Sequence, residues 1–190
     1  MAIVSNALVT RQDLEHYAEE YISISDNDSL VEDIINAKTQ EFHTYCGVPQ
    51  IKSRQYTEFY DGRGDVDLFP YRFPIISVSS IHLDSEWEFS IESLLDSADY
   101  RIVNNRYIVF KSGFASGLQN IKLIYTAGYA SIPNDIKLAC TREVVREFNR
   151  RRDLDISSIS LEDGSVAFVE KGLLKSTKEV LNKYRVVGVY

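Results

Sequence analysis

The stretch Leu123-Ile-Tyr-Thr-Ala-Gly-Tyr-Ala-Ser-Ile-Pro-Asn-Asp-Ile136 changes the spacing of its apolar residues from every second position to a helical spacing. Its first half continues a β-prone run, Asn120–Thr126, which Gly128 closes. Its second half places Pro133 in the first turn of a helix, with an early acid at Asp135, and both features are typical of a helix start. The stretch therefore predicts that a β-rich region ends here and that a helix follows it.

The predicted helix continues to a cluster of three arginines. Its apolar face has helical spacing and consists of Ile136, Ala139, Cys140, Val144 and Phe148. The cluster, Arg150, Arg151 and Arg152, suits the negative end of the helix dipole, and it can also form ion pairs with an acidic neighbouring subunit. We therefore name these three arginines as candidate subunit-interface residues.

Beyond the arginines we expect one short helix and an apolar tail. A connector that contains Ser and Gly, residues 153–171, leads to a helix from about Leu173 to Tyr184. The last residues, Val186-Val-Gly-Val-Tyr190, are apolar and β-prone. Such a tail either frays or adds to the edge of a partner's sheet.

Two amphipathic helices precede the β-rich region. The first, Thr10–Ile22, has apolar residues at helical spacing, and Thr10 with Asp13 resembles a capping pair. The second begins near Leu30 and ends at Gly47, and a proline follows two residues later, as is common after a helix end. Because neither helix can bury its apolar stripe alone, we expect both to pack on the helices that follow the β-rich region.

The region between the two helical blocks has apolar residues at every second position and many β-branched and aromatic residues. It predicts a small antiparallel sheet of about five or six strands. Asn104-Asn105 separates two strand-like runs and predicts a tight hairpin, because asparagine tolerates positive φ. The tripeptide Arg63-Gly64-Asp65 matches an integrin-binding motif, but the glycines and aspartates around it are the composition of a β-turn. We interpret the tripeptide as a turn.

The predicted fold class is α+β. A small bundle of about four helices carries an antiparallel β-rich region, which is inserted between the second and third helices. We expect a single domain over residues 1–190, in which 1–48 and 132–185 form the bundle, 50–130 form the insertion and 186–190 form a C-terminal tail.

Composition limits the class of function. With 28 acidic and 21 basic residues the formal net charge is −7, which argues against a surface that holds nucleic acid tightly. Cys46 and Cys140 lack the paired spacing of a zinc site or redox motif, so we expect two buried thiols. The start of the chain has no export signal and no apolar run is long enough to cross a membrane, so we expect a cytoplasmic origin and no membrane partner.

No cluster of titratable residues predicts chemistry. His16, His43 and His82 lack the spacing of metal ligands, and we expect them to be structural. We therefore predict no catalytic residue, no cofactor, no metal and no enzymatic activity. One alternative is a small hydrolase or carbohydrate-binding module, whose β-rich region would form a pocket around Trp87, Tyr100 and Tyr107.

The chain as a whole resembles the head-to-tail connector proteins of tailed bacteriophages, also called adaptor or head-completion proteins. Five features in order along nearly the whole chain carry the resemblance: Ala7-Leu-Val-Thr-Arg-Gln-Asp-Leu14 with the acidic turn and helix after it, Tyr60-Asp-Gly-Arg-Gly-Asp65, Leu68-Phe-Pro-Tyr-Arg-Phe-Pro-Ile-Ile-Ser-Val78, Leu123–Ile136, and Lys183-Tyr-Arg185. The segment 83–98, with Trp87, is longer than the family pattern leads us to expect.

The resemblance implies a structural virion protein made in the host cytoplasm. It implies an oligomeric ring, typically of twelve copies, that joins the portal of the capsid to the tail or to the next neck protein and lets DNA pass without specific binding. It also implies that the C-terminal helix and tail bind the portal. Carried onto this sequence, the portal-binding residues are Leu173, Leu174, Val180, Leu181, Tyr184, Arg185, Val186, Val187, Val189 and Tyr190. A third possibility is another neck or tail-completion protein.

Overall fold

The computed structural model describes residues 2–17, 28–150, 158–161, 164–167 and 172–186. Within these ranges the helices are α1 (Arg11–Tyr17), α2 (Asp28–Cys46), α3 (Asn134–Arg150) and α4 (Lys175–Asn182). The strands are β1 (Arg54–Gly62), β2 (Asp67–Leu68), β3 (Ile75–Leu83), β4 (Tyr100–Val103), β5 (Tyr107–Phe110), β6 (Gly117–Ala127), β7 (Ser158–Leu161) and β8 (Gly164–Ala167). The predicted α+β class is confirmed, with the β-rich region between α2 and α3.

The described residues divide into two compact units. The helical unit comprises the residues up to Ile51 together with those from Ile132 onward, and the β-rich unit comprises Lys52–Ser131. Both boundaries lie where the spacing of apolar residues changes in the sequence.

In the helical unit, the predicted apolar face of α3 is buried along its whole length. Helix α1 is described only as far as Tyr17, and the rest of the predicted helix Thr10–Ile22 lies outside the described residues. The expected pair at its start is present, because the backbone N–H and the hydroxyl of Thr10 both donate to Asp13 Oδ2 at 2.8 Å. Both thiols are buried as expected, and burial raises the pKa of Cys46 to about 11 and that of Cys140 to about 12.

Helix α2 ends where the sequence predicts. Gly47 has a φ of 69°, its N–H donates to the Thr44 carbonyl at 3.1 Å, and the Val48 N–H donates to the His43 carbonyl at 3.1 Å. This pair of bonds is a Schellman motif, which needs a residue in the left-handed conformation after the helix. Glycine adopts that conformation without a steric cost.

The β-rich unit contains two antiparallel three-stranded sheets. The first sheet has the order β1-β6-β3 and the second has the order β2-β5-β4. Their inner faces share one apolar core, formed by Tyr60, Leu68, Ile75, Ile81, Ile108, Phe110, Phe114, Ile121, Leu123, Tyr125 and Ala127. Asn104 and Asn105 have φ values of 51° and 54°, so the predicted tight hairpin between β4 and β5 is present. The Arg63-Gly64-Asp65 tripeptide lies in the short connection between β1 and β2.

The expected connector 153–171 contains a strand pair that we did not predict. Strand β7 pairs with β8 in antiparallel register, from Ser158 opposite Ala167 to Leu161 opposite Gly164. Serines alternate with apolar residues there, a pattern that is typical of a half-buried strand, and the Asp163-Gly164 sequence at the start of β8 is a hairpin signal.

Candidate interaction surfaces

Helix α4 is joined to α3 through one fully buried carboxylate, that of Glu143. Its Oε1 accepts hydrogen bonds from the Leu174 N–H at 2.8 Å and the Thr177 hydroxyl at 2.6 Å, and its Oε2 lies 2.6 Å from the Arg146 guanidinium. Arg146 also donates to the Gly172 carbonyl. Because Leu174 immediately precedes α4, Glu143 satisfies a backbone donor that the helix itself leaves without a partner. The carboxylate therefore fixes the place where α4 begins.

The predicted portal-binding residues that the structure describes fall into two groups. Leu173 and Leu181 are buried in the core of the helical unit. Leu174, Val180, Tyr184 and Val186 are half-buried, and Arg185 is exposed. Val187, Val189 and Tyr190 lie outside the described residues. Contacts of α4 and the residues on either side of it with another protein would therefore be made by the second group, while Leu173 and Leu181 hold the helix in place.

The residues that follow α4 are held by the rest of the helical unit. The Tyr184 hydroxyl donates to Asp135 Oδ1 at 2.7 Å, at the start of α3. The Val186 N–H donates to the Cys46 carbonyl at 2.9 Å, at the carboxyl end of α2. The chain therefore reaches the predicted tail from a fixed point beside the end of α2.

Of the three candidate subunit-interface arginines, the structure describes one. Arg150 is half-buried at the last residue of α3, and Arg151 and Arg152 lie outside the described residues. Arg142, eight residues earlier in α3, is exposed. The interface role of the three arginines stays a prediction.

In the β-rich unit a second carboxylate, that of Glu58, joins distant segments. The Tyr125 hydroxyl donates to Glu58 Oε2 at 2.6 Å, and the Tyr60 hydroxyl donates to the same oxygen. The two hydroxyl oxygens accept hydrogen bonds from the backbone N–H groups of Arg72, at 3.1 Å, and Tyr71, at 3.0 Å. Burial and the neighbouring carboxylate raise the pKa of both phenols, so that they stay protonated and keep donating.

This network fixes a segment that exposes aromatic rings. The exposed fraction is 61% for Phe69 and 57% for Tyr71. The Phe69 ring stacks on Tyr107 of β5, with ring centroids 5.1 Å apart. The Arg106 guanidinium lies over Phe73, 4.9 Å from the ring centroid. The result is an ordered aromatic surface beside the second sheet.

A second exposed surface is formed by the loop between β3 and β4 together with Leu118 near the start of β6. The exposed fraction is 60% for Trp87, 84% for Ile91 and 73% for Leu118. The loop is held by one hydrogen bond within it and one to β6, since Asp84 accepts from the Phe89 N–H at 2.7 Å and Trp87 Nε1 donates to the Leu118 carbonyl at 2.8 Å. The sequence predicts that Trp87 lines a pocket, but in the structure its side chain is exposed on this surface.

The pocket of the alternative prediction is not formed. Tyr100 pairs with Phe110, and Tyr107 pairs with Val103. Because side chains alternate between the faces of a strand and Phe110 belongs to the core, Tyr100 and Tyr107 lie on opposite faces of the second sheet. The hydrolase or carbohydrate-binding interpretation is therefore wrong in its proposed site.

Two further features, a metal site and a membrane-spanning helix, are absent from the described part of the chain. No group of three or more His, Cys, Asp or Glu residues there could hold a metal ion. Among the same residues, no helix has both the length and the apolar character needed to cross a bilayer.

Sequence reasoning missed both joining carboxylates. Glu143 follows an arginine and precedes an apolar pair in an amphipathic helix, so the pattern gave no reason to distinguish it from a solvated charge. Glu58 had a weak signal, because it lies on the same strand face as Tyr56 and Tyr60 in an alternating run.

The comparisons with known proteins agree with the whole-chain resemblance. A family model described as "Head completion protein" matches residues 7–187. The chain belongs to the head completion protein family. Membership confirms the predicted family, and it makes this protein a structural component of the phage head-to-tail region rather than an enzyme. No curated protein matches the chain.

Solved structures with the same fold include particle components of gene transfer agents (GTA). The neck of an empty GTA particle, computed with C6 symmetry, has a TM-score of 0.63 at 15% identity and covers 100% of this head completion protein and 95% of that chain. The virion of a native GTA particle has a TM-score of 0.59 at 15% identity, with coverage of 100% and 95%. The neck of a native GTA particle, computed with C12 symmetry, has a TM-score of 0.53 at 15% identity, with coverage of 96% and 95%.

Proposed function

We propose that this head completion protein forms an oligomeric ring, typically of twelve copies, in the neck of a tailed phage particle. The ring joins the portal to the tail or to the next neck protein and continues the channel through which DNA passes. The observation that carries the proposal is the family match over residues 7–187, and the fold shared with neck components of particles with C6 and C12 symmetry supports it. A closed ring needs two different surfaces on each subunit.

The charge of the chain supports a conduit without specific DNA binding. A formal net charge of −7 disfavours the close phosphate contacts that would hold DNA in place. Residues 172–186 differ from the rest, with four basic residues and one acid: Lys175, Lys178, Lys183, Arg185 and Glu179. We assign this segment, with the half-buried Leu174, Val180, Tyr184 and Val186 and the following Val187, Val189 and Tyr190, to an acidic surface of the portal.

The test is to mix the purified protein with the portal of the same phage and to image the product by electron microscopy. We expect a ring docked on the portal, and a portal that stays bare while intact would overturn the proposal. Deletion of residues 187–190 keeps the bond between Val186 and Cys46, so the fold should persist while portal binding weakens. A matched control is Glu15→Lys, which changes an exposed residue of α1 and should leave binding unchanged.

A further inference from the structure

Two surfaces of the β-rich unit carry opposite charge and follow each other along the chain. Residues 84–96, the acidic loop, contain five acids and no base: Asp84, Glu86, Glu88, Glu92 and Asp96. Residues 100–111, the basic hairpin of β4 and β5, contain three bases and no acid: Arg101, Arg106 and Lys111. When one compact unit carries two surfaces of opposite charge, the acidic surface of one copy can attract the basic surface of another.

The charges that matter are not neutralised within the unit. Glu86, Glu88 and Glu92 are exposed, and among the described residues none of them forms an ion pair. Arg101 and Arg106 are exposed, and within the same ranges neither of them has an acidic partner. Lys111 differs, because its Nζ lies 3.5 Å from Asp99.

The two surfaces lie on opposite sides of the core of the β-rich unit. Phe89 of the acidic loop contacts Phe59 and Lys122, with distances of 5.4 Å between ring centroids and 5.5 Å from Lys122 Nζ to the Phe89 centroid. Phe59 pairs with Lys122, and their neighbours Tyr60 and Ile121 are in the core, so the part of the acidic loop around Phe89 lies against the outer face of the first sheet. The end of the loop pairs with β3, through Leu94 and His82.

The basic hairpin belongs to the second sheet, whose inner face covers the other side of the same core. Ile108 and Phe110 point into that core, so Tyr107 and Val109 face outward, and Arg101 pairs with Val109 on that outer face. Asp67 also pairs with Val109, so this face carries one acid beside its arginines.

Both surfaces also carry apolar side chains. Trp87, Ile91, Leu94 and Leu118 are exposed at the acidic loop, and Phe69 is exposed where it stacks on Tyr107 beside the basic hairpin. Exposed apolar groups rimmed by charge are typical of protein interfaces. Because the two surfaces carry opposite charge, the basic hairpin of a second copy is the occupant that fits the acidic loop.

We propose that neighbouring copies of this protein contact each other head to tail, with the acidic loop of one copy on the basic hairpin of the next. Because the two surfaces lie on opposite sides of one core, a pair of copies leaves one of each unused, and further copies add until the ring closes. This inference rests on the proposed function, since it supplies the subunit contact of the proposed ring. It also gives the long segment between β3 and β4 a role.

The test uses two full-length variants with reversed charge. The acid-reversed variant carries Glu86→Lys, Glu88→Lys and Glu92→Lys, and the base-reversed variant carries Arg101→Glu and Arg106→Glu. We expect each variant alone to self-associate at least about tenfold more weakly than wild type, because like charges then face each other. An equimolar mixture should recover association, since each reversed surface meets the opposite charge on the other variant.

Self-association is measured by sedimentation over a range of concentrations, and native mass spectrometry of the mixture should show the two variants alternating. The control, Glu15→Lys, reverses an exposed acid outside the β-rich unit and should associate like wild type. Unaltered association of either variant, a mixture that does not recover, or a wild-type chain that stays monomeric at every concentration would each overturn the inference. Docking on the portal is a separate readout, so a docked ring that ignores these substitutions would leave the proposed function intact and remove only this contact.

Discussion

The helical unit and the β-rich unit are each tied together by a glutamate, and the two glutamates have different tasks. Glu143 is fully buried and joins two helices that share no backbone hydrogen bonds along their length. Glu58 accepts hydrogen bonds from two phenol hydroxyls, one on β1 and one on β6. These two strands are already held in register by their own backbone pairing. A side chain between two helices can therefore attach a whole element, whereas the same group on a sheet positions only the surface segment above it.

The strongest test of this comparison is Glu143→Ala. The change leaves the Arg146 cation, the Leu174 N–H and the Thr177 hydroxyl without their acceptor in a buried site. We expect the free energy of unfolding to fall by about 3–5 kcal/mol, as measured by urea denaturation, and the amide protons of α4 to lose protection. The control Glu179→Ala, an exposed acid on α4, should change it by less than about 0.5 kcal/mol. A comparable loss in both variants would contradict the special role of Glu143.

A second test concerns the pH dependence that a histidine of the helical unit adds to the free energy of unfolding. His43 is buried, neither ring nitrogen has a partner among the described residues, and burial lowers its pKa from 6.5 to about 4. Between these two values the unfolded chain binds a proton that the folded chain does not, so the free energy of unfolding falls as the pH drops through this window. The full loss is on the order of 3 kcal/mol.

The variant His43→Leu should abolish this part of the pH dependence. Urea denaturation near pH 7 and near pH 4 measures it, with His16→Leu as the control because His16 is exposed. If wild type and His43→Leu lose the same stability between the two pH values, the assignment to His43 is wrong.

In the β-rich unit the matching change is Glu58→Leu. It removes the acceptor of two phenols and should lower the free energy of unfolding by about 1–3 kcal/mol. Hydrogen exchange should speed up at the amides of Tyr71 and Arg72, which the phenols hold, while the β1–β6 ladder stays protected. Equal loss of protection across the ladder would show that Glu58 supports the sheet itself, and the two units would then not differ as described. Glu88→Gln, an exposed acid of the same unit, serves as the control.

The smallest effect is expected from Thr177→Val. This change removes one of the donors to Glu143 and keeps the volume of the side chain, so we expect a loss of about 1 kcal/mol in urea denaturation. Thr177→Ser retains the hydroxyl and separates the hydrogen bond from the packing of the methyl group. A larger loss for serine than for valine would mean that packing, and not the bond to Glu143, matters at this position.

Local features of the fold were predictable because local chemistry decides them. The end of α2 follows from the need for positive φ at Gly47, and the hairpin between β4 and β5 follows from Asn104 and Asn105. The buried face of α3 follows from spacing alone. In each case the residues that make the contact are neighbours in the sequence.

The features that escaped prediction depend on contacts between distant residues. Glu143 and Thr177 are 34 positions apart, and nothing in either local pattern announces the bond. Leu173 and Leu181 were assigned to a surface together with Leu174 and Val180, although the buried stripe begins at Leu173, just before α4, and continues through Thr177 and Leu181. The threonine in the middle of that stripe interrupts the run of apolar residues that would mark a buried face in the sequence. Its hydroxyl is buried there because it donates a hydrogen bond to the buried Glu143 carboxylate.

The burial of Cys46 and Cys140 has a practical consequence for locating this protein in a particle. With pKa values so far above neutrality, both thiols are almost entirely protonated, and protonated thiols hardly react with maleimides. A cysteine introduced at an exposed position such as Glu15, outside the acidic loop and the basic hairpin, would therefore be the selective attachment point for a gold cluster or a fluorophore on an otherwise unmodified background. Labelled particles would then reveal which end of each subunit faces the capsid.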